Sequence, residues 1–152
     1  MTGSQCTNDS LGRLLYQTSL AMRNFAEKLL KPHDLTLEQL HLLKHLPEDQ
    51  GLTQKELGER IHKTPANLTR ILDRLETKGL LIRRINPDDR RAMLVAITPR
   101  GADLIIEMIS VFESFTKKMV DGIAPQEEQV LRKTLIKIAA NIEAMPRDAE
   151  SS

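Results

Sequence analysis

Cysteine and aromatic residues are scarce in this chain: of 152 residues, one is Cys, none is Trp, one is Tyr and three are Phe. The lone Cys6 cannot close an intrachain disulfide, which fits a reducing cytoplasm and not a disulfide-stapled secreted scaffold. With so few rings, Leu, Ile and Met must carry the packing. No apolar run approaches the ~18 residues of a membrane span, so no membrane partner is expected. The stretch Met1 to Ser10 is polar and lacks a basic segment followed by an apolar one, so no secretory signal is expected either. Catalytic signatures are missing too. There is no phosphate-cradling glycine loop, no nucleophile elbow and no metalloprotease motif, so neither an enzyme nor a cofactor is expected.

What the chain does have is charge, unevenly placed. Its 22 Lys and Arg nearly cancel its 21 Asp and Glu, leaving a net +1. Between Thr53 and Arg100, however, eleven Lys and Arg stand against six Asp and Glu, while the remainder holds eleven against fifteen. Basic charge is therefore gathered on one segment, as a polyanion-binding unit requires.

That segment also carries the strongest pattern. Thr53-Gln54-Lys55-Glu56 is a capping box, in which a Thr hydroxyl and a Glu carboxylate each satisfy the other's backbone amide. Leu57 and Ile61 then fall on one face of a short helix, and Gly58 lets another helix approach closely. After His62-Lys63, Thr64 is a good N-cap and Pro65 suits the first helical position. Leu68, Ile71, Leu72 and Leu75 repeat at helical spacing and predict a buried stripe. The opposite face carries Lys63, Ala66, Asn67, Thr69, Arg70 and Asp73. A small residue, an amide, a hydroxyl and a guanidinium at a helix N-terminus are what base-edge and phosphate contacts use. Asp73 is expected to pair with nearby arginines, and Gly79 to end the helix at C′. Leu80 to Ile85 and Met93 to Thr98 read as a β-hairpin joined by Asn86-Pro87-Asp88-Asp89. Arg90 and Arg91 lie at or just past its tip, where guanidinium fits a narrow minor groove; Asp88 and Asp89 are expected to shape the loop and orient Arg90 by salt bridges. Helix, turn, helix, hairpin is the layout of a winged helix-turn-helix, a shape that enters DNA grooves.

Helices flank this unit. One is expected from about Ser10 to Lys31, with Leu11, Leu14, Leu15, Thr18, Met22, Phe25 and Leu29 near one side, broken by Pro32-His33-Asp34. A second capping box, Thr36-Leu37-Glu38-Gln39, opens a helix carrying Leu40, Leu43 and Leu46 that stops at Pro47. Glu48 to Leu52 is a loop, with room for a short strand against the wing. Thr98-Pro99 starts a long helix to about Asp121, and Pro125 starts a last one to Met145. Leu104, Ile105, Ile106, Met108, Ile109, Val111, Phe112, Phe115, Met119 and Val120 cover more than one helix face, so that helix must be buried on more than one side. The fold expected is mainly α with a small β-wing, flanked by long N- and C-terminal dimerisation helices. It divides into tails at 1–9 and 147–152, a helical dimerisation region at 10–34 and 99–146, and a winged helix-turn-helix lobe at 35–98. Two recognition helices in a homodimer, one DNA turn or ~34 Å apart, would read a palindrome.

Thr64 to Leu75 (TPANLTRILDRL), Lys78 to Arg84 (KGLLIRR), Asp88-Asp89-Arg90-Arg91 and Leu94 to Gly101 (LVAITPRG) resemble the signature of the MarR-type bacterial transcriptional regulators. The resemblance implies a DNA-binding regulator, a repressor of the kind released from a palindromic operator by a small anionic aromatic effector. It places DNA contacts on Lys63, Thr64, Pro65, Ala66, Asn67, Thr69, Arg70, Arg74, Arg90 and Arg91, and an effector cleft near Tyr16, Arg23, His41, Met108 and Phe112. Some relatives sense zinc, and His41 and His45 stand four apart on one helix, although no further ligand is fixed by sequence. Others sense peroxide through a cysteine four residues before a tyrosine; here Gly12 holds that place before Tyr16, and Cys6 lies earlier without a nearby base. A metal- or thiol-responsive regulator and a protein-binding winged helix remain the alternatives.

Overall fold

The computed structural model describes residues 10–146; the tails expected at 1–9 and 147–152, and Cys6 with them, lie outside the described residues. Helix α1 spans Leu11–Leu30, with Ser10 Oγ accepting from the Arg13 amide at 3.2 Å. Only its last turns reach the core, through Ala26 and Leu30. The stripe expected from Leu11 to Phe25 is half-buried at best: Leu14 and Leu15 are partly covered, whereas Leu11, Thr18, Met22 and Phe25 are exposed.

A 3-10 turn, Lys31–His33, takes up Pro32, and Asp34 swings into the left-handed region at φ 52°. Both halves of the second capping box form as α2, Leu37–Lys44, begins: Gln39 N donates to Thr36 Oγ1 at 3.1 Å and Thr36 N to Gln39 Oε1 at 3.3 Å. Strand β1, Leu52–Thr53, leads directly into α3, Gln54–Ile61, and α4 follows at Pro65–Thr77. Strands β2, Leu81–Ile85, and β3, Met93–Ile97, make the hairpin, one residue shorter at each outer end than the apolar pattern suggests. The sheet is antiparallel with order β1-β3-β2; Leu81 faces Ile97, Ile85 faces Met93, and Leu52 faces Val95.

Leu30, Leu42, Leu43, Leu57, Leu72, Leu75, Leu81, Val95 and Met108 are fully buried in one cluster. Each large side chain removed from water contributes about 1.5–3 kcal/mol, so this cluster holds α3, α4 and the hairpin as one body. Helix α5, Pro99–Met119, joins it through Met108, with Leu104, Ile105, Val111 and Phe112 packed against its edge. Its start is fixed by Thr98, whose hydroxyl donates to the Gly79 carbonyl at 2.7 Å and accepts from the Gly101 amide at 3.1 Å. Gly101 lies so close to β2 that a Cβ there would stand 2.2 Å from the Leu80 carbonyl oxygen and 2.7 Å from Ile97 Cγ1.

The contacts divide the chain into a first unit ending at Phe112 and a second beginning at Glu113. The second holds the end of α5, a turn through Gly122, and α6, Pro125–Glu143, whose first turn carries Glu127 and Glu128 at the favourable N-terminal pole. No residue of α6 is buried, and Val130 and Ile136 are each 64% exposed.

Candidate nucleic-acid interface

The turn between α3 and α4 sets the presentation of α4. Thr53 Oγ1 accepts from the Glu56 amide at 3.1 Å and Glu56 Oε2 accepts from the Thr53 amide at 3.2 Å, so α3 starts where the capping box expects. Leu57 and Ile61 are buried, and Leu68 Cδ2 lies 3.4 Å from where a Cβ of Gly58 would stand, which is how the two helices come close. His62 then adopts φ 53°, and Lys63 N donates back to the Gly58 carbonyl at 3.1 Å. Thr64 Oγ1 caps α4 by accepting from the Asn67 amide at 3.4 Å.

Leu68, Ile71, Leu72 and Leu75 all point into the core. Thr64, Pro65, Ala66, Asn67, Thr69, Arg70, Asp73 and Arg74 are exposed. Two local bonds order this surface: Thr69 Oγ1 donates to the Pro65 carbonyl at 2.9 Å, and Arg70 Nη2 to Asn67 Oδ1 at 3.3 Å. Lys63 is half-buried and its ammonium is already matched by Glu38 of α2 at 3.1 Å. Thus the outer face of α4 offers hydroxyl, amide and guanidinium groups, while Lys63 at its approach is bound within the protein.

The hairpin tip is built from its own side chains. Asn86 Oδ1 accepts from the Asp88 amide and Asp89 Oδ1 from the Arg91 amide, each at 3.0 Å, and Asn86 N donates to the Ala92 carbonyl at 3.0 Å. Asp89 therefore shapes the loop as its position suggests. The ion pair expected to orient Arg90 does not form, because the Asp89 carboxylate is turned to the backbone. Arg90 and Arg91 are exposed and, among the described residues, have no carboxylate partner.

Between α4 and β2 sits a cluster that residue patterns alone barely signal. Arg83 Nε donates to Glu76 Oε2 at 3.2 Å, Arg83 Nη2 to Glu76 Oε1 at 3.2 Å and to Asp73 Oδ1 at 2.5 Å, and the Arg83 amide to Glu76 Oε2 at 3.0 Å. The hydrogen bonds from Arg83 hold the Glu76 carboxyl below its ordinary range, and those from Glu76 and Asp73 raise the Arg83 guanidinium. The pairing of Asp73 with an arginine is legible in the sequence; which arginine, and the part of Glu76, are not. Neighbouring Arg84, on the other face of the strand, donates to the Asp49 and Gln50 carbonyls at 2.8 and 2.9 Å.

Of the residues expected near an effector cleft, Tyr16 is 69% exposed on α1, Met108 is fully buried in the core, and Phe112 is half-buried with Lys44 Nζ 5.9 Å from its ring centre. His41 is exposed; partial burial and the charges of His45, Lys44 and Lys63 lower its pKa. His45 donates its Nδ1 hydrogen to the His41 carbonyl at 2.8 Å, and the two rings meet edge to face at 4.6 Å. Among the described residues no group of three or more His, Cys, Asp or Glu is placed to hold a metal ion. Arg23 lines a cleft of about 250 Å³ with Glu27, Glu38, Arg70 and Arg74. A larger cleft of about 800 Å³ runs behind α4, lined by Glu27, Lys31, Asp34, Asp73, Arg74 and Lys78 among others. Its acids are satisfied: Glu27 Oε1 accepts from the Leu37 amide, Asp34 is paired with Lys78, and Asp73 with Arg83. Arg23, Lys31 and Arg74 have no anionic partner among the described residues. No helix among the described residues is long and apolar enough to cross a membrane.

Comparison with known proteins agrees with this geometry. The MarR family model matches residues 35–93, the stretch from the end of the α1–α2 turn to the start of β3. The fold is similar to S. aureus MepR in its complex with DNA, with TM-score 0.78 and 25% identity, covering 88% of this chain and 99% of that one. It is similar to MarR, with TM-score 0.75 and 26% identity over 89% of this chain and 92% of the other. It is also similar to a cysteine-to-serine mutant of MarR from E. coli, with TM-score 0.73 and 28% identity over 86% and 97%. A capped helix pair, an antiparallel wing and flanking long helices thus make this chain similar, in sequence over residues 35–93 and in fold over most of its length, to the MarR family of winged-helix, DNA-binding transcriptional regulators.

Proposed function

We propose that the protein is a repressor acting in the cytoplasm as a homodimer, bound to a palindromic operator and released from it by a small anionic aromatic ligand. Residues 35–98 serve as the DNA-binding lobe, and 10–34 with 99–146 as the dimerisation region. The observation that carries the reading is that α4 and the wing tip both offer exposed donors: Asn67, Thr69 and Arg70 on the helix, Arg90 and Arg91 on the hairpin. Thr64 to Arg70 enter the major groove, where Arg reads guanine and Asn reads adenine edges. Pro65 and Ala66 keep the helix start slim enough to approach the bases. Arg74 takes a phosphate, and Lys63 joins it on exchanging Glu38 for phosphate. Arg90 and Arg91 enter the flanking minor groove. The MepR structure of the same fold, bound to DNA, supports the assignment. The exposed apolar side chains of α1 and α6, Leu11, Val130, Ile136 and Ile142 among them, support a partner copy over those helices.

A carboxylate effector fits the excess cation beside α4. Arg23, Lys31 and Arg74 line clefts whose acids are already bound, and a ligand held there shifts the DNA equilibrium only by its preference for the unbound state. Tyr16, His41 and Phe112 remain the further candidates for its aromatic part, whereas Met108, fully buried in the core, is out of a ligand's reach. The test is an electrophoretic mobility shift with duplexes from beside the chain's own gene. Retardation of a palindromic fragment, steeply weakened by salt and relieved by an aromatic carboxylate, is the expected result. Failure to retard any duplex at low ionic strength would overturn the DNA assignment and point to a protein partner instead. Retardation insensitive to aromatic carboxylates would overturn the effector class alone.

A further inference from the structure

The geometry points to Arg83 as a positioning residue: we propose that it locks the wing to the recognition helix through Asp73 and Glu76, so that these two carboxylates strengthen DNA binding despite their charge. The proposal rests on the DNA-binding reading above.

Charge alone argues the other way. Two acids on a helix that approaches a polyanion should repel it, and removing them should tighten binding. Here neither acid is idle. Glu76 accepts both the Nε and Nη2 hydrogens of Arg83 as well as its backbone amide, and Asp73 accepts a further Nη2 hydrogen. The fork is spent on one helix face, one turn apart, as the planar guanidinium allows and an ammonium does not. Arg83 is only 19% exposed, so its charge is largely withdrawn from solvent and from any phosphate.

Its position in the sheet gives the pairing its purpose. Arg83 lies opposite Val95, two residues before Ile85 and the start of the tip that carries Arg90 and Arg91. Successive strand residues point to opposite faces, and Arg84 accordingly binds the Asp49 and Gln50 carbonyls on the other side. The root of the wing is therefore held from both faces, by the recognition helix on one and by the α2–β1 loop on the other. A hairpin gripped at its root presents its tip at a set distance from α4. One released there must be ordered at the moment of binding, which weakens the complex.

The experiment uses the full chain and the palindromic duplex, with binding measured by fluorescence anisotropy across a salt series. Asp73→Asn with Glu76→Gln is expected to weaken binding about tenfold, Arg83→Gln to weaken it equally, and all three together no further, because one link is being cut each time. Arg83→Lys keeps the charge without the fork and is expected to recover only part of the loss. The decisive readout is coupling to the tip: Arg90→Ala weakens the wild type but has much less effect once Arg83 is Gln. The Asp73 side chain is 57% exposed and that of Glu76 40%, so neutralising them leaves a folded protein. If neutralising the acids tightens binding, or if Arg90→Ala costs the same in both backgrounds, Arg83 does not act through the wing and the proposal falls. Full recovery with Arg83→Lys would likewise overturn it, in favour of a direct phosphate contact. A wild type that ignores the duplex altogether sinks the DNA reading itself, which the mutant series by itself does not.

Discussion

Single side chains in this protein owe their roles to what already holds them. Of the arginines at the wing, Arg83 and Arg84 are bound to protein oxygens, whereas Arg90 and Arg91 are exposed at the tip with no carboxylate partner among the described residues. Arg90→Ala is therefore expected to weaken operator binding by about 1–3 kcal/mol and to reduce the salt slope by about one, with no change in unfolding temperature. Anisotropy titrations at several salt concentrations, beside a melting curve, check all three. His41 makes the opposite case, a titrating group among like charges. Its folded pKa is lowered by partial burial and by His45, Lys44 and Lys63, so the native state binds its proton less readily than the unfolded chain does. Its contribution to stability is thus full above the unfolded value, about 6.5, and is lost as the pH falls below it. Denaturant midpoints are expected to drop between pH 7.5 and 5.5, and to drop less in His41→Gln.

Elements are defined by their ends more than by their middles. Both capping boxes form, at Thr36 and Thr53, and a single hydroxyl at Thr98 ties Gly79 to the first turn of α5. Thr53→Ala is expected to cost about 1 kcal/mol, measurable by urea denaturation, because it orphans the Glu56 amide at the start of α3. Gly101→Ala is expected to cost more, about 1–3 kcal/mol, and to lower the melting temperature clearly. A methyl group there must displace the Leu80 carbonyl, and backbone yields less easily than a side chain. Gly79, at φ 74°, is needed for a different reason, since the chain must leave α4 in the left-handed region.

For the molecule as a whole, the net charge of +1 hides a basic segment that a uniform distribution would not produce. Attraction to DNA is consequently local, and its salt dependence reports how many phosphates that segment meets. The proposed dimer would be held by apolar surface. No residue of α6 is buried, and α1 buries only Ala26 and Leu30 near its C-terminal end. Sedimentation at micromolar concentration is expected to give a dimer, and Ile136→Lys to shift it toward monomer or aggregate. A folded wild-type monomer at that concentration would remove the interface.

The sequence by itself determined the elements and their order. Caps, proline and glycine positions and the apolar stripe of α4 are local rules, satisfied within a turn or two of chain, and they place α2, α3, α4 and the hairpin to within a few residues. It also determined which face of α4 is outward, because the inward Leu and Ile residues leave no choice. Tertiary structure alone decided the partners of charged groups. Arg83 rather than Arg90 meets Asp73, Asp89 turns to its own backbone, and Lys63 finds Glu38 across 25 residues of chain. Long side chains reach in many directions, and only the folded backbone fixes which oxygen lies within 3 Å of each nitrogen. The same holds for α1, whose apolar stripe is plain in the sequence but whose burial depends on surface that no local rule supplies.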